Sequence, residues 1–426
     1  MHPSKPGRRL AAAVFTLVLL VAGATTATAA DPENDYANQT PYGTPNASIQ
    51  QAPDGYRMIF LETVGRHGAR SLTNDGTEKN VLSLWQRASD QNALTDLGRT
   101  LKRDVEAFQQ AEQKIGYGKL SGVGREEWQG IGKRDAETYT SFFDRVKKDG
   151  AKIATVTTSV DRTKQSADAM HAGLTETDAD LKQAIDPATA DDQLLRISNR
   201  TSDAGRKATE SIQAGEGVQA HAEHLLRGLY TPGFVKSLKD KLGAALDVYL
   251  LYSTAPGMAK ETNITFARYV PQDDREPLSY ATDAETFYQY GPGVEGETNT
   301  TEHAKPLLDD FFTALDDRVN GGKTAAVLRF AHGETTMPFA ALIKAPGSEK
   351  QVPVGEQFTR STNAWRGATA GRLAGNLEWA AYKNDAGKVL VTMRYLEIPV
   401  AFHDGCKPDA AGSLFYAEAE LKRCLH

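Results

Sequence analysis

The sequence predicts an α/β fold: a mostly parallel central sheet flanked by helices, with a largely helical inserted domain. Three observations carry this expectation. Apolar runs at residues 58–61, 151–158 and 325–330 read as buried strands. Each ends in a loop rich in Gly, Ser, Thr or His and is followed by a helix-like stretch, the pattern of strand, loop and helix repeated along an α/β sheet. Between the second and third runs, residues 175–302 show helical runs and no strong strand, and 426 residues give room for such an insertion.

Taken in order, residues 1–30 read as a secretory signal peptide. Lys5, Arg8 and Arg9 precede an apolar run from Leu10 to about Ala22, and the small residues Ala27, Ala29 and Ala30 follow. The run is too short for a comfortable membrane span. The mature protein is therefore expected to be exported and extracellular, with no membrane span; Arg8-Arg9 leaves both general and twin-arginine export open. Residues 31–53, rich in Pro, Asn and Gln, read as an N-terminal linker. The α/β core is assigned to residues 54–174 and 303–426, with helices over 94–114 and 125–148 and, flanking Asp385-Ala386-Gly387, a hairpin or an edge-strand pair. Helical runs at 218–229 and 234–252 belong to the insertion, 175–302. With 49 Lys and Arg against 55 Asp and Glu, the net charge of -6 argues against general nucleic-acid binding. A polyanionic ligand would need a local basic cluster. The two cysteines, Cys406 and Cys424, lie in an exported chain and are expected to form a disulfide, worth about 3 kcal/mol for a loop of roughly twenty residues.

The chemistry concentrates at the three strand ends. Arg66-His67-Gly68-Ala69-Arg70 ends the first, Thr158-Ser159-Val160-Asp161-Arg162-Thr163 the second, and Ala331-His332-Gly333-Glu334-Thr335 the third. Each alone has a bland reading: a surface loop, an Arg162 paired with Asp161, a histidine satisfied by backbone. Their conjunction is the signal, because open α/β sheets bind ligands at the carboxyl ends of their strands. Guanidinium groups give bidentate contacts to phosphate oxygens, and Gly68 would let the backbone approach a ligand closely. Tyr290-Gly291-Pro292-Gly293 could line a pocket mouth but reads first as a turn, and is left out of the candidate site. His171, His221, His224 and His303 read as helix-surface residues, His221 and His224 having a spacing that could also hold a metal.

At these three motifs the sequence resembles the histidine acid phosphatases, the second branch of the histidine phosphatase superfamily, and most of all the multiple inositol polyphosphate phosphatases. The resemblance runs from about Tyr56 to Cys424. It implies that His67 is the nucleophile, that Arg66, Arg70, Arg162 and His332 bind the phosphoryl group, and that Glu334 donates the proton to the leaving group. It also implies a mechanism with no cofactor and no metal. The acid stands one residue later than in typical acid phosphatases, like the His-Ala-Glu pattern of the inositol polyphosphate enzymes, with Gly333 in place of Ala. Ser71-Leu72 replaces the family's usual proline-bearing continuation. Thr73 fits a position that contacts substrate in some phytases, and Asn74 stands where several have lysine, so both are candidate rim residues. The expected function is a secreted phosphomonoesterase acting on phytate or lower inositol phosphates through a phosphohistidine. A broad-specificity acid phosphatase shares the same site. A non-catalytic phosphate-ester-binding protein would need neither His67 nor Glu334.

Overall fold

The structure, a computed structural model, describes Met1 and residues 32–45, 47–198 and 201–426. The signal peptide read over residues 1–30 thus lies, Met1 apart, outside the described residues. Eight strands form one sheet: β1 (Tyr56–Arg66), β2 (Lys152–Thr157), β3 (Thr189–Ala190), β4 (Thr324–Ala331), β5 (Asn376–Asn384), β6 (Val389–Tyr395), β7 (Ile398–Val400) and β8 (Tyr416–Ala417). Their order is β3-β2-β4-β1-β5-β6-β7, with β8 also pairing β6. The half that carries the motifs, β3 to β1, is parallel, as expected. Beyond β1 the pairing is antiparallel, and β5 and β6 are joined by a tight hairpin in which Gly387 takes a positive φ of 85°.

The residues alternate across β1. Phe60 and Val64 face one core, with Phe311, Phe339 and Trp379; Leu61 faces another, with Trp128, Met170 and Phe330. A register shift between Met58 and Phe60 turns Met58 to the Leu61 side. The first core is closed by α12 (Lys305–Val319), α13 (Gly333–Leu342) and α15 (Glu418–Leu425), and the second by α3 (Gly122–Thr138), α4 (Thr140–Lys148) and α5 (Asp161–Thr177). The continuous helix expected over 125–148 is two helices. The chain breaks at Tyr139, whose hydroxyl is drawn into a buried cluster with Glu378 and Arg394.

Further helices pack into a third core. Its members α1 (Gly76–Asp90) and α2 (Asp96–Ile115) lie before β2 in sequence; α1 is a helix that the sequence reading did not single out. They pack with α8 (Glu216–Leu229), α10 (Lys241–Thr254) and α11 (Gln272–Tyr290), which come from the region read as an insertion. The same region contributes α6 (Asp192–Leu195), α7 (Asp203–Gln213), α9 (Pro232–Ser237) and the short edge strand β3; α14 (Gly367–Ala370) precedes β5. Residues 31–53 also depart from the linker expectation. Pro32–Gln39 forms a 3-10 helix, and Asp35, Ala37 and Thr40 are buried. Polar composition misled here because the segment packs through its backbone: Tyr249 donates to the Asp35 carbonyl, and the Leu373 amide to that of Thr40. Cys406 and Cys424 form the expected disulfide. Among the described residues no helix is long and apolar enough to cross a membrane.

Two glycines set the distance between α3 and α5. A Cβ on Gly132 would lie 2.3 Å from the Met170 carbonyl oxygen, and one on Gly173 would lie 2.1 Å from that of Gln129. Gly173→Ala should therefore push α5 off α3 and destabilise the fold by about 1–3 kcal/mol or more. A urea midpoint unchanged from the parent would contradict this.

Candidate active site

The three motifs converge because the parallel strands end level with one another. Arg66 of β1 pairs with Ala331 of β4, and Phe330 of β4 with Thr157 of β2. β4 lies between the other two, so the loops that follow all three emerge side by side at the carboxyl edge of the sheet. The next helices, α5 and α13, begin at Asp161 and Gly333, within the motifs themselves.

Helix α3 grips the first motif along its backbone. Trp128 Nε1 donates to the Arg66 carbonyl at 3.1 Å, and the Ala69 amide donates to Glu127 Oε2 at 2.6 Å. The Ala69 carbonyl accepts from the Ser121 amide at 2.9 Å and from its hydroxyl at 3.1 Å. On α5, Ser166 Oγ accepts from the Gly68 amide at 3.1 Å and donates to the Arg162 carbonyl at 2.8 Å, tying the first motif to the second. The freedom of Gly68 serves this packing: a Cβ there would lie 2.5 Å from the Gly124 carbonyl oxygen and 2.9 Å from Glu127 Oε2. Gly68 is thus required by α3, where the sequence had suggested a ligand.

His67 and His332 face each other edge to face, ring centroids 5.4 Å apart, and both are buried. His67 Nδ1 lies 2.9 Å from the Gly68 carbonyl, its own neighbour, so the proton belongs on Nδ1 and the lone pair on Nε2. His332 accepts from Arg162 at Nδ1, 3.1 Å, and meets Thr158 Oγ1 through Nε2, 3.0 Å. Arg162 thereby departs from the bland reading: Asp161 pairs with Lys119 instead. Arg66 donates to the carbonyls of Asn38 and Gly371, and Arg70 to that of Ser71 at 2.7 Å. The Nε atoms of Arg66, Arg70 and Arg162 are all buried and make no hydrogen bond among the described residues. Three buried strong donors without acceptors among the described residues are a large departure from ordinary interiors.

The electrostatics follow from that crowding. Burial, then the charges of Arg66, Arg162, Arg70 and His332, hold the His67 imidazole well below the ordinary histidine range. Burial holds His332 down to about 4, with Arg162, Arg196 and Arg66 acting in the same direction and Glu334 against them. The guanidinium groups disfavour one another: burial with Arg66 and Arg162 brings Arg70 down to about 9, and burial with Arg162 brings Arg66 to about 10. Glu334, in the first turn of α13, is the acid whose field reaches all three arginines. It lines a cavity of about 450 Å³ with Asp192, Arg196, Ile197, Ser198 and Tyr290.

The structure thus gathers His67, Arg66, Arg70, Arg162, His332 and Glu334. Thr73 borders them: a Cβ on Gly118 would touch both Thr73 Cα and Arg162 Nη1 at 3.9 Å. Asn74 is exposed and accepts from the Gly76 amide at 2.8 Å, serving the entry to α1. Tyr290 was passed over because it precedes a Pro-Gly turn, and Arg196 because it lies in no motif. The other histidines are elsewhere. His171 is half-buried against Thr155 rather than on the surface, and His221 and His224 both bond the buried carboxylate of Asp274. Among the described residues the one cluster with metal-ligand spacing is His403, Cys406 and Cys424, and its cysteines are bonded to each other.

This arrangement has known counterparts. No curated protein matches the chain. Among solved structures, the multiple inositol polyphosphate phosphatase of Bifidobacterium longum, in complex with inositol hexasulfate, is 27% identical with a TM-score of 0.88, covering 92% of this chain and 97% of that one. The phytase of D. castellii shares the fold at 14% identity and TM-score 0.64, covering 92% of this chain and 84% of its own. The phytase of Hafnia alvei does so at 15% and 0.55, covering 88% and 97%. Residues 57–385 match the histidine phosphatase superfamily (branch 2), and the chain belongs to that family as a phosphomonoester hydrolase.

Proposed function

We propose that the protein is a secreted phosphatase of inositol polyphosphates, phytate included, that works through a phosphohistidine on His67 without a metal. One observation carries the reading: three arginines whose charges act on His67 each have a buried Nε–H with no acceptor among the described residues, and the His67 imidazole bears its lone pair on Nε2. A phosphoryl group supplies oxygens to such donors, and its charge offsets the mutual repulsion of the arginines. Similarity to the Bifidobacterium longum enzyme, solved with an inositol hexasulfate, supports a polyphosphorylated ring as substrate.

In the first step His67 Nε2 attacks phosphorus and the P–O ester bond breaks. Protonated Glu334 gives its proton to the departing alkoxide. In the second step the Glu334 carboxylate takes a proton from water, the oxygen of that water attacks phosphorus, and the P–N bond returns its electron pair to His67. Inorganic phosphate leaves. Arg66, Arg70, Arg162 and His332 hold the transferring group throughout, and the fixed positive charge of the three arginines does what a metal does in other phosphatases. A phosphatase of small esters is the second reading, favoured by Asn74, which engages its own loop.

Purified protein should release inorganic phosphate from myo-inositol hexakisphosphate at mildly acidic pH with excess chelator. Failure of folded protein to do so, with p-nitrophenyl phosphate still cleaved, would favour the second reading. Glu334→Gln should cost about 10²- to 10⁴-fold on inositol phosphates and far less on p-nitrophenyl phosphate, whose phenolate leaves unaided; equal losses would point to another acid. The attack also needs a neutral imidazole. In ¹⁵N NMR His67 should remain neutral at pH 5 and His332 should titrate near 4, whereas a His67 midpoint near the ordinary value of about 6.5 would contradict the account.

A further inference from the structure

A buried carboxylate that the mechanism does not use lies directly beneath the first motif. Glu127 is 7% exposed, on the face of α3 that meets the sheet. Its two oxygens accept from two backbone amides far apart in sequence: Oε2 from Ala69 at 2.6 Å and Oε1 from Tyr42 at 2.8 Å. Tyr42 ends the packed N-terminal segment, and four residues earlier the Asn38 carbonyl accepts from Arg66 Nη1. The same segment is fastened at Thr40 to Leu373 and at Asp35 to Tyr249. One carboxylate therefore joins the loop that carries His67 and Arg70 to the strap that orients the Arg66 guanidinium.

We infer that Glu127 is a positioning residue for phosphoryl transfer, whose ionised carboxylate keeps the strap at 35–42 and the Arg66–Arg70 loop in register and so aims the arginines. The inference rests on the reading of Arg66 and Arg70 as phosphate ligands. Two amide donors need two acceptor oxygens. A carboxylate offers both without a proton of its own, whereas an amide, or a protonated carboxyl, has only one oxygen free of hydrogen. The charged groups that face Glu127 are Arg66 on β1 and Arg372 before β5, and both favour the ionised form. Burial outweighs them and raises its pKa to about 7, so ionisation is lost as the pH falls through that value.

The test is the ratio of kcat/KM between parent and Glu127→Gln, measured on p-nitrophenyl phosphate from pH 5 to 8.5. Effects of substrate and of His332 ionisation cancel in the ratio. It should be about tenfold or more at pH 8.5, the scale on which small misplacements act, and fall towards unity at pH 5, where the parent carries a protonated carboxyl. A loss of stability alone would give a ratio flat with pH, and that result, or a ratio of one throughout, would overturn the inference. Arg66→Ala in parallel separates the failures. If it keeps parental kcat/KM, the phosphate-site reading itself falls, and with it this inference; if it is crippled while the ratio is flat, Glu127 alone loses its role. Should Glu127→Gln not fold, the Ala69 amide of the parent protein gives the answer: its NMR shift should move with a midpoint near 7, and a shift flat from pH 5 to 8.5 would overturn the proposal.

Discussion

Mutual repulsion among buried cations is the constraint on which the rest of the structure turns. Arg66, Arg70 and Arg162 crowd around two imidazoles, and burial lowers the proton affinity of all five groups. Glu334, His332 and the carbonyls of Asn38, Gly371 and Ser71 offset part of that cost, and the surrounding backbone holds the cluster in place. That same unfavourable potential disfavours protonation of His67 and, in the function proposed here, is relieved by a phosphoryl dianion.

The fold supplies rigidity in two ways. The level endings of β1, β4 and β2 bring three loops together without long connections, so each functional side chain lies within a residue or a few of a sheet hydrogen bond. Helix α3 then reads the first loop almost atom by atom, through Trp128, Glu127 and Ser121, and Gly68 and Gly124 allow the approach. Gly132 and Gly173 in turn seat α3 on α5, the helix that carries Arg162. The arginines of the first and second motifs are thus tied through a chain of backbone contacts that tolerates no extra methyl group. Glu334 stands apart from this grip, lining a cavity with Tyr290 and Arg196.

The parts legible in the sequence were those in which chemistry or periodicity demands a residue type. The convergence of Arg66, His67, Arg70, Arg162, His332 and Glu334 could be read because strand ends are where an α/β sheet presents side chains to a ligand. The three parallel strands, the hairpin about Gly387 and the pairing of Cys406 with Cys424 were legible for similar reasons. What escaped depends on backbone. The segment 31–53 looked like a linker because its side chains are polar, while its carbonyls and amides do the holding. Glu127 sits in the run Arg125-Glu126-Glu127, which reads as a solvated helix face until the 3.6-residue turn places it beneath the loop. Helix α1 and the break at Tyr139 depend on partners distant in sequence: α1 packs on α10, and Tyr139 reaches Glu378.

The central claim, that His67 becomes covalently phosphorylated within this cationic pocket, is open to direct observation. Mixing enzyme with substrate, quenching in base within milliseconds and mapping the peptides by mass spectrometry should find an acid-labile phosphoryl group on His67. A phosphoryl group on another residue, or none in enzyme shown to be turning over with a burst of product, would contradict the account.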